Sequence, residues 1–331
     1  MKCFQPFGAF DADSPTLGTT RAKLTVCLAL AVGACLFGAP RGAQAQANDP
    51  KPIQPPRDVT FPTKDRIELA GTYWESNVGR EAPVIVFLHR EGGNRLEWTK
   101  GIASTLQLAG YAVISVDLRG HGQSIVKPGA NNQNRRRKNT KLIPQDYKNM
   151  VGYDLDAVKA FILEENQAGN LNMNKTGIVG AEMGAAVAVS YALLDWNKPP
   201  HPDGIGPNRT PRGQDVRALV LLSPEKVPGL PYARPLTILR NPAWDVHLLV
   251  AVGNQDKIGL REAEKLYELF NKVGQNENRS FLQIYPGKLR GADLFSPKEL
   301  KADEHITKFF EKSLKSLPAN WRDRRSKLSS E

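Results

Sequence analysis

Pro83-Val84-Ile85-Val86-Phe87-Leu88 and Tyr111-Ala112-Val113-Ile114-Ser115-Val116 are two short apolar runs with a helical stretch between them. Each run is nearly continuous in its apolar character, as expected of a strand buried on both faces. The intervening segment, about Glu97 to Leu108, reads as a helix that stops at Gly110. The same alternation continues along the chain. Ile67 to Trp74 alternates like a strand, and a long helix is expected over about Pro144 to Glu165. Thr176-Gly177-Ile178-Val179 reads as a strand and Met183 to Trp196 as an Ala-rich helix. Strands follow near Ala218–Leu222, Val246–Val252 and Ser280–Tyr285, with helices near Arg261–Lys272 and Pro297–Leu314. Alternating strands and helices of this kind predict an α/β fold: a mostly parallel sheet with helices on both faces. Ligand sites in such sheets form at the carboxyl ends of the strands.

Working outward, the N-terminus reads as a targeting segment. Arg21 and Lys23 precede the apolar stretch Leu24 to Ala39, and Ala43-Gln44-Ala45 is a small-x-small site. The order of charge, apolar run and small residues predicts a signal peptide over 1–45 and an exported protein, periplasmic or extracellular. Val32-Gly33-Ala34-Cys35 offers a competing lipidation site at Cys35. All three cysteines, Cys3, Cys27 and Cys35, fall in this leader, so the mature chain has no disulfide framework, thiol nucleophile or cysteine metal site. No transmembrane segment is expected after cleavage. Residues 46–57, rich in Gln, Asn, Asp and Pro, read as a flexible linker, 58–315 as the folded domain, and 316–331 as a frayed basic tail.

The chain of 331 residues is 40% hydrophobic, enough for a sizeable core. Its formal charge of +11 admits an anionic partner, but basic residues are spread widely and the densest run, Arg135 to Lys141, falls in a polar loop. A solvated basic surface is the expected reading, with no nucleic-acid partner. Asp154 with Asp156, and Glu164 with Glu165, sit on the charged long helix and are expected to be solvated. No metal-ligand spacing and no phosphate-binding glycine loop are present, so no cofactor is expected.

Two motifs carry a family resemblance. Leu88-His89-Arg90-Glu91-Gly92-Gly93 follows one strand, and Asp117-Leu118-Arg119-Gly120-His121-Gly122-Gln123-Ser124 follows the next. Together they resemble the α/β-hydrolase superfamily over roughly residues 60–315, which implies a three-layer sandwich. The resemblance places a nucleophile elbow at Gly180-Ala181-Glu182-Met183-Gly184, where G-x-S-x-G is required to expose a serine on a sharp turn. Glu182 holds the serine position. The resemblance makes Asp256, after Leu248–Val252, the acid. It puts Arg290, in Tyr285-Pro286-Gly287-Lys288-Leu289-Arg290-Gly291, in place of the histidine. The implied oxyanion-hole amides are those of Met183 and a residue near Glu91.

Two of three triad positions have thus changed. A serine nucleophile needs a neutral imidazole to take its proton, and arginine stays protonated. Glutamate can attack an electrophile, but the resulting intermediate still needs an activated water. The sequence therefore predicts a non-catalytic hydrolase-fold protein binding a small-molecule ligand or an unidentified protein. The alternatives are a hydrolase of small esters or amides that uses Glu182 as base or nucleophile, and a surface module in which Arg135 to Lys141 and the basic tail hold an anionic polymer or membrane. An ion pair of Glu182 with Arg290, with Asp256 on the other side of the guanidinium, is expected if the triad row is kept. The sequence fixes no oligomeric state.

Overall fold

The computed structural model describes residues 52–99, 101–124, 142–272 and 274–328. The signal-peptide and Cys35 readings and the basic run Arg135 to Lys141 lie outside these residues. Eight strands form one sheet: β1 (Arg57–Pro62), β2 (Glu68–Trp74), β3 (Val84–Leu88), β4 (Ala112–Val116), β5 (Thr176–Ala181), β6 (Val216–Leu222), β7 (His247–Gly253) and β8 (Ser280–Tyr285). Their spatial order is β1-β2-β4-β3-β5-β6-β7-β8. Strands β1, β2 and β4 pair antiparallel, and every pairing from β4 through β8 is parallel.

Why the strands are apolar throughout follows from the two cores. In β3, Val84, Val86 and Leu88 enter the core on one face, while Ile85 and Phe87 enter the core on the other. Strand β7 does the same, with Leu248, Val250 and Val252 on one side and Leu249 and Ala251 on the other. A strand alternates its side chains with period 2, so covering both faces demands apolar residues at every position. The larger core receives α3 (Leu155–Gln167), α4 (Met183–Trp196), α5 (Ala233–Leu239) and α6 (Lys257–Asn271). The smaller receives α1 (Ile102–Leu108) and α7 (Ala302–Phe310). This is the expected three-layer arrangement.

The structure departs from the sequence reading in several places. Strand β1 begins at Arg57, inside the expected linker, and the Gln54 carbonyl accepts from Gln107 Nε2 at 2.8 Å. Helix α5 was not anticipated. The long helix is interrupted: α2 (Pro144–Asn149) passes through a wide π-type turn at Met150–Asp154 before α3. In that turn Asp154 is fully buried, correcting its expected solvation, because the Arg119 amide and guanidinium donate to it at 2.6–2.9 Å. The last helix is broken at Lys301, whose left-handed φ of 50° separates a short 3₁₀ turn from α7. Finally, the described part of the basic tail, through residue 328, is docked rather than frayed, with Arg324 only 2% exposed.

Candidate functional site

Strand β5 ends at Ala181, and α4 begins at Met183. Glu182 alone makes the turn between them, at φ 51° and ψ −107°. That is a strained conformation for a residue with a Cβ, of the kind held in place only by its surroundings. The surroundings are visible. The Glu182 amide donates to the Leu222 carbonyl at 2.9 Å. A Cβ on Gly180 would lie 2.4 Å from the Gly184 oxygen, and one on Gly184 would lie 2.5 Å from the Leu88 oxygen. Both glycines are therefore required by the close crossing of α4 over β5 and β3.

Asp256 and Arg290 reach Glu182 from the loops after β7 and β8. Asp256 opens α6, and its Oδ1 accepts from the Gly259 amide at 3.0 Å. The loop after β8 is pressed against β7: a Cβ on Gly253 would lie 2.7 Å from the oxygens of Gly287 and Leu289. This packing brings Arg290 over Asp256, where Nε donates to Oδ2 at 2.8 Å. The other arm of the guanidinium, Nη2, stands 3.7 Å from Glu182 Oε2 and 3.4 Å from Glu225 Oε2. The three sequence-derived positions thus converge in a carboxylate–guanidinium–carboxylate row. The grip is uneven, firm on Asp256 and looser on Glu182. Gly291 lies directly against the row, since a Cβ there would meet Glu182 Oε1 at 2.9 Å.

Glu225 was missed by the sequence reading. Its signal was its place in Ser223-Pro224-Glu225, just past the carboxyl end of β6, where sites in parallel sheets collect. Ser223 also contributes, accepting from the Gly291 amide at 3.1 Å through Oγ.

The charges respond to this crowding. Burial pushes the Glu182 carboxyl above the ordinary glutamate value; Arg290 opposes the rise and Glu225 adds to it. Burial alone would lower the Arg290 pKa, but Glu182, Asp256 and Glu225 outweigh it and raise it above the usual arginine value. Arg290 is accordingly a fixed cation, unable to accept a proton.

The oxyanion-hole candidates separate. Met183 is buried at the first position of α4, where an amide has no partner within the helix. Glu91 is exposed in a turn closed by the Gly93 amide on the Arg90 carbonyl at 3.0 Å, and its Oε2 accepts from Tyr147 Oη at 3.1 Å. Arg90 bridges Glu97, at 3.2 Å, and Asp293, at 3.5 Å. Burial raises the Glu97 carboxyl above its usual range.

The upstream motif is structural. Asp117 accepts from the amides of Arg95 and Gln123 and from Arg95 Nη1, at 2.6–2.8 Å. Arg119 joins Asp154 and Asp65. His89 is fully buried; its Nε2 accepts from the Leu118 amide at 3.0 Å, and Nδ1 lies 2.7 Å from the Arg90 carbonyl. These contacts define a neutral ring protonated at Nδ1. Two concavities lie elsewhere: an open groove of about 400 Å³ over β1 and β2, and a cavity of about 20 Å³ under α3. No helix among the described residues is long and apolar enough to cross a membrane.

A family model described as alpha/beta hydrolase fold matches residues 83–290, more than half of the chain. The chain belongs to the α/β-hydrolase family. Among solved structures, it is similar to a dienelactone hydrolase from Anabaena variabilis at 19% identity and TM-score 0.51, covering 78% of this chain and 99% of that one. It is also similar to an esterase from Pyrococcus furiosus at 17% identity and TM-score 0.54, covering 79% and 93%. A third is an esterase from Pyrobaculum calidifontis at 16% identity and TM-score 0.51, covering 78% and 84%. At these identities the likeness is one of fold. No curated protein matches the chain.

Proposed function

We propose that this α/β-hydrolase-family protein is exported and non-catalytic, its former triad row having become a charge-paired lock beside which a small ligand or a protein partner binds. The observation that carries the reading is the position of Arg290. Its guanidinium stands where a general base belongs, with Nε on Asp256 at 2.8 Å and Nη2 3.7 Å from Glu182. A carboxylate held by a guanidinium is a weaker nucleophile than a free one, and Arg290 cannot activate the water that would have to release an acyl group from Glu182. Export rests on the charge, apolar and small-residue order of the leader, and release of the chain with a start near Gln46 would agree with it.

A second reading has its own support. Glu182 is turned out on the elbow at positive φ, and burial raises its carboxyl toward the range of a working acid or base. In that reading the protein hydrolyses small esters or amides. Mass analysis of the Glu182 peptide after rapid quenching with an activated acetate ester separates the two. The non-catalytic reading expects an unmodified peptide and no turnover of the ester above the rate in buffer. An acyl adduct on Glu182, formed by the wild type and absent after denaturation, would establish the second.

A further inference from the structure

The strand ends opposite Glu182 hold the C-terminal segment in a groove that reads both its backbone and its side chains. Asn166, Asn172 and Asn174 are buried at the end of α3 and just before β5. Their side-chain amides donate to three successive stations of the segment: the carbonyls of Arg322 at 3.2 Å, Ala319 at 2.9 Å and Asn320 at 3.0 Å. Backbone contacts of this kind bind a chain without regard to its sequence.

Two side chains supply the selectivity. Trp321 donates from Nε1 to the Asn166 carbonyl at 2.9 Å, and the Arg80 guanidinium lies 4.1 Å from the centre of its ring. Arg324 enters a closed pocket. Its two Nη atoms meet the two oxygens of Asp215 at 2.6 and 3.1 Å, and Nε donates to the Pro211 carbonyl at 3.1 Å. The forked contact is the geometry that distinguishes arginine from lysine. Charge explains the pocket's demand for it. Asp215 and Asp195 are both buried and both pair with Lys159, and Arg324 gives Asp215 its forked partner, so removing Arg324 leaves a buried carboxylate short of a cation.

Backbone carbonyls taken by fixed amides, with pockets for selected side chains, are how extended peptides are recognised. We infer that this end of the sheet is a peptide-recognition groove for Trp-x-x-Arg, filled by the chain's own Trp321-Arg322-Asp323-Arg324 and able to accept the same segment from a second copy. The connection to the body is short and accessible: Lys315 and Ser316 are exposed where the last helix ends.

The test uses the full chain carrying a protease site between Ser316 and Leu317, cleaved while folded. Gel filtration at micromolar concentration should show the fragment from Leu317 onward still travelling with the body. A synthetic peptide of residues 317–328 in excess should displace it and rebind. The same peptide with Arg324→Ala should compete at least about a hundredfold less well, the size expected when one partner of a buried ion pair is removed. Trp321→Ala should also weaken it, and because the substitutions are in the peptide, the fold of the body is not in question. Loss of the fragment at the first dilution, with circular dichroism of the body unchanged, would overturn the inference. So would equal competition by the substituted peptides. Unfolding of the body on release would also overturn it, by making the segment an inseparable part of the domain.

Discussion

Replacing Arg290 with methionine keeps much of the side chain's length and removes the charge and its hydrogen bonds from the row. Glu182 and Asp256 have side chains 11% and 5% exposed, while Arg290 and Glu225 are 34% and 30% exposed. Deleting one partner of a buried pair costs about 3–5 kcal/mol, and of an exposed pair about 0–1 kcal/mol. A cation one-third in solvent, serving two buried carboxylates and one half-buried one, falls between, at about 2 kcal/mol near neutral pH. The pH dependence is the sharper signature. The Glu182 carboxyl is already raised in the fold, and Arg290 is its strongest lowering influence. Losing Arg290 raises it further. A group raised in the fold gives stability below its unfolded pKa and loses it as pH rises through the folded value. The defect of Arg290→Met should therefore be widest near pH 7 and shrink toward about pH 4.5, the usual glutamate range. Urea unfolding midpoints of both proteins at the two pH values measure it. A loss independent of pH, or one under about 0.5 kcal/mol at pH 7, the scale of an ordinary surface substitution, would refute the charge-lock argument.

Gly184→Ala should cost about 1–3 kcal/mol, as overpacking does, because its Cβ would meet the Leu88 oxygen at 2.5 Å; a neutral thermal melt would contradict the close crossing. His89, pushed down to about 4 by burial, should stay neutral and protonated at Nδ1 in nitrogen NMR spectra near pH 5.5. Its depressed value gives stability above the unfolded histidine range that is lost as pH falls toward about 4, so a ring titrating near 6.5 would contradict the buried assignment. Glu182→Ser alone should not create ester hydrolysis, since Arg290 still cannot take the serine proton; measurable turnover by that variant would show that another base is in reach.

The sheet was legible because the strands obey a single rule. Val84 to Leu88 and Leu248 to Val252 are apolar at every position, and only a two-sided burial explains that. Strand β1 was hidden because its alternation, Val59 and Phe61 inward, is short and lies beside a polar, proline-containing stretch. Asp154 was misread because helical spacing says nothing of a partner 35 residues away, and Arg119 makes its burial tolerable. Glu182, Asp256 and Arg290 were readable from motif positions, each at a strand end. Glu225 was not, since its role depends on where the Arg290 fork points. The tail's docking was hidden for the same reason: Arg324 is one of several basic residues in the sequence, and its pocket comes from Asp215, far along the chain.

The central claim is that the site performs no acyl transfer. Steady-state hydrolysis of a short-chain chromogenic ester, followed from acid to alkaline pH for the wild type and Glu182→Ala, tests it directly. The account predicts two superimposable profiles that follow the rate in buffer alone. A saturable wild-type rate that vanishes in a folded Glu182→Ala protein would contradict it and establish Glu182 as the base or nucleophile of an active hydrolase.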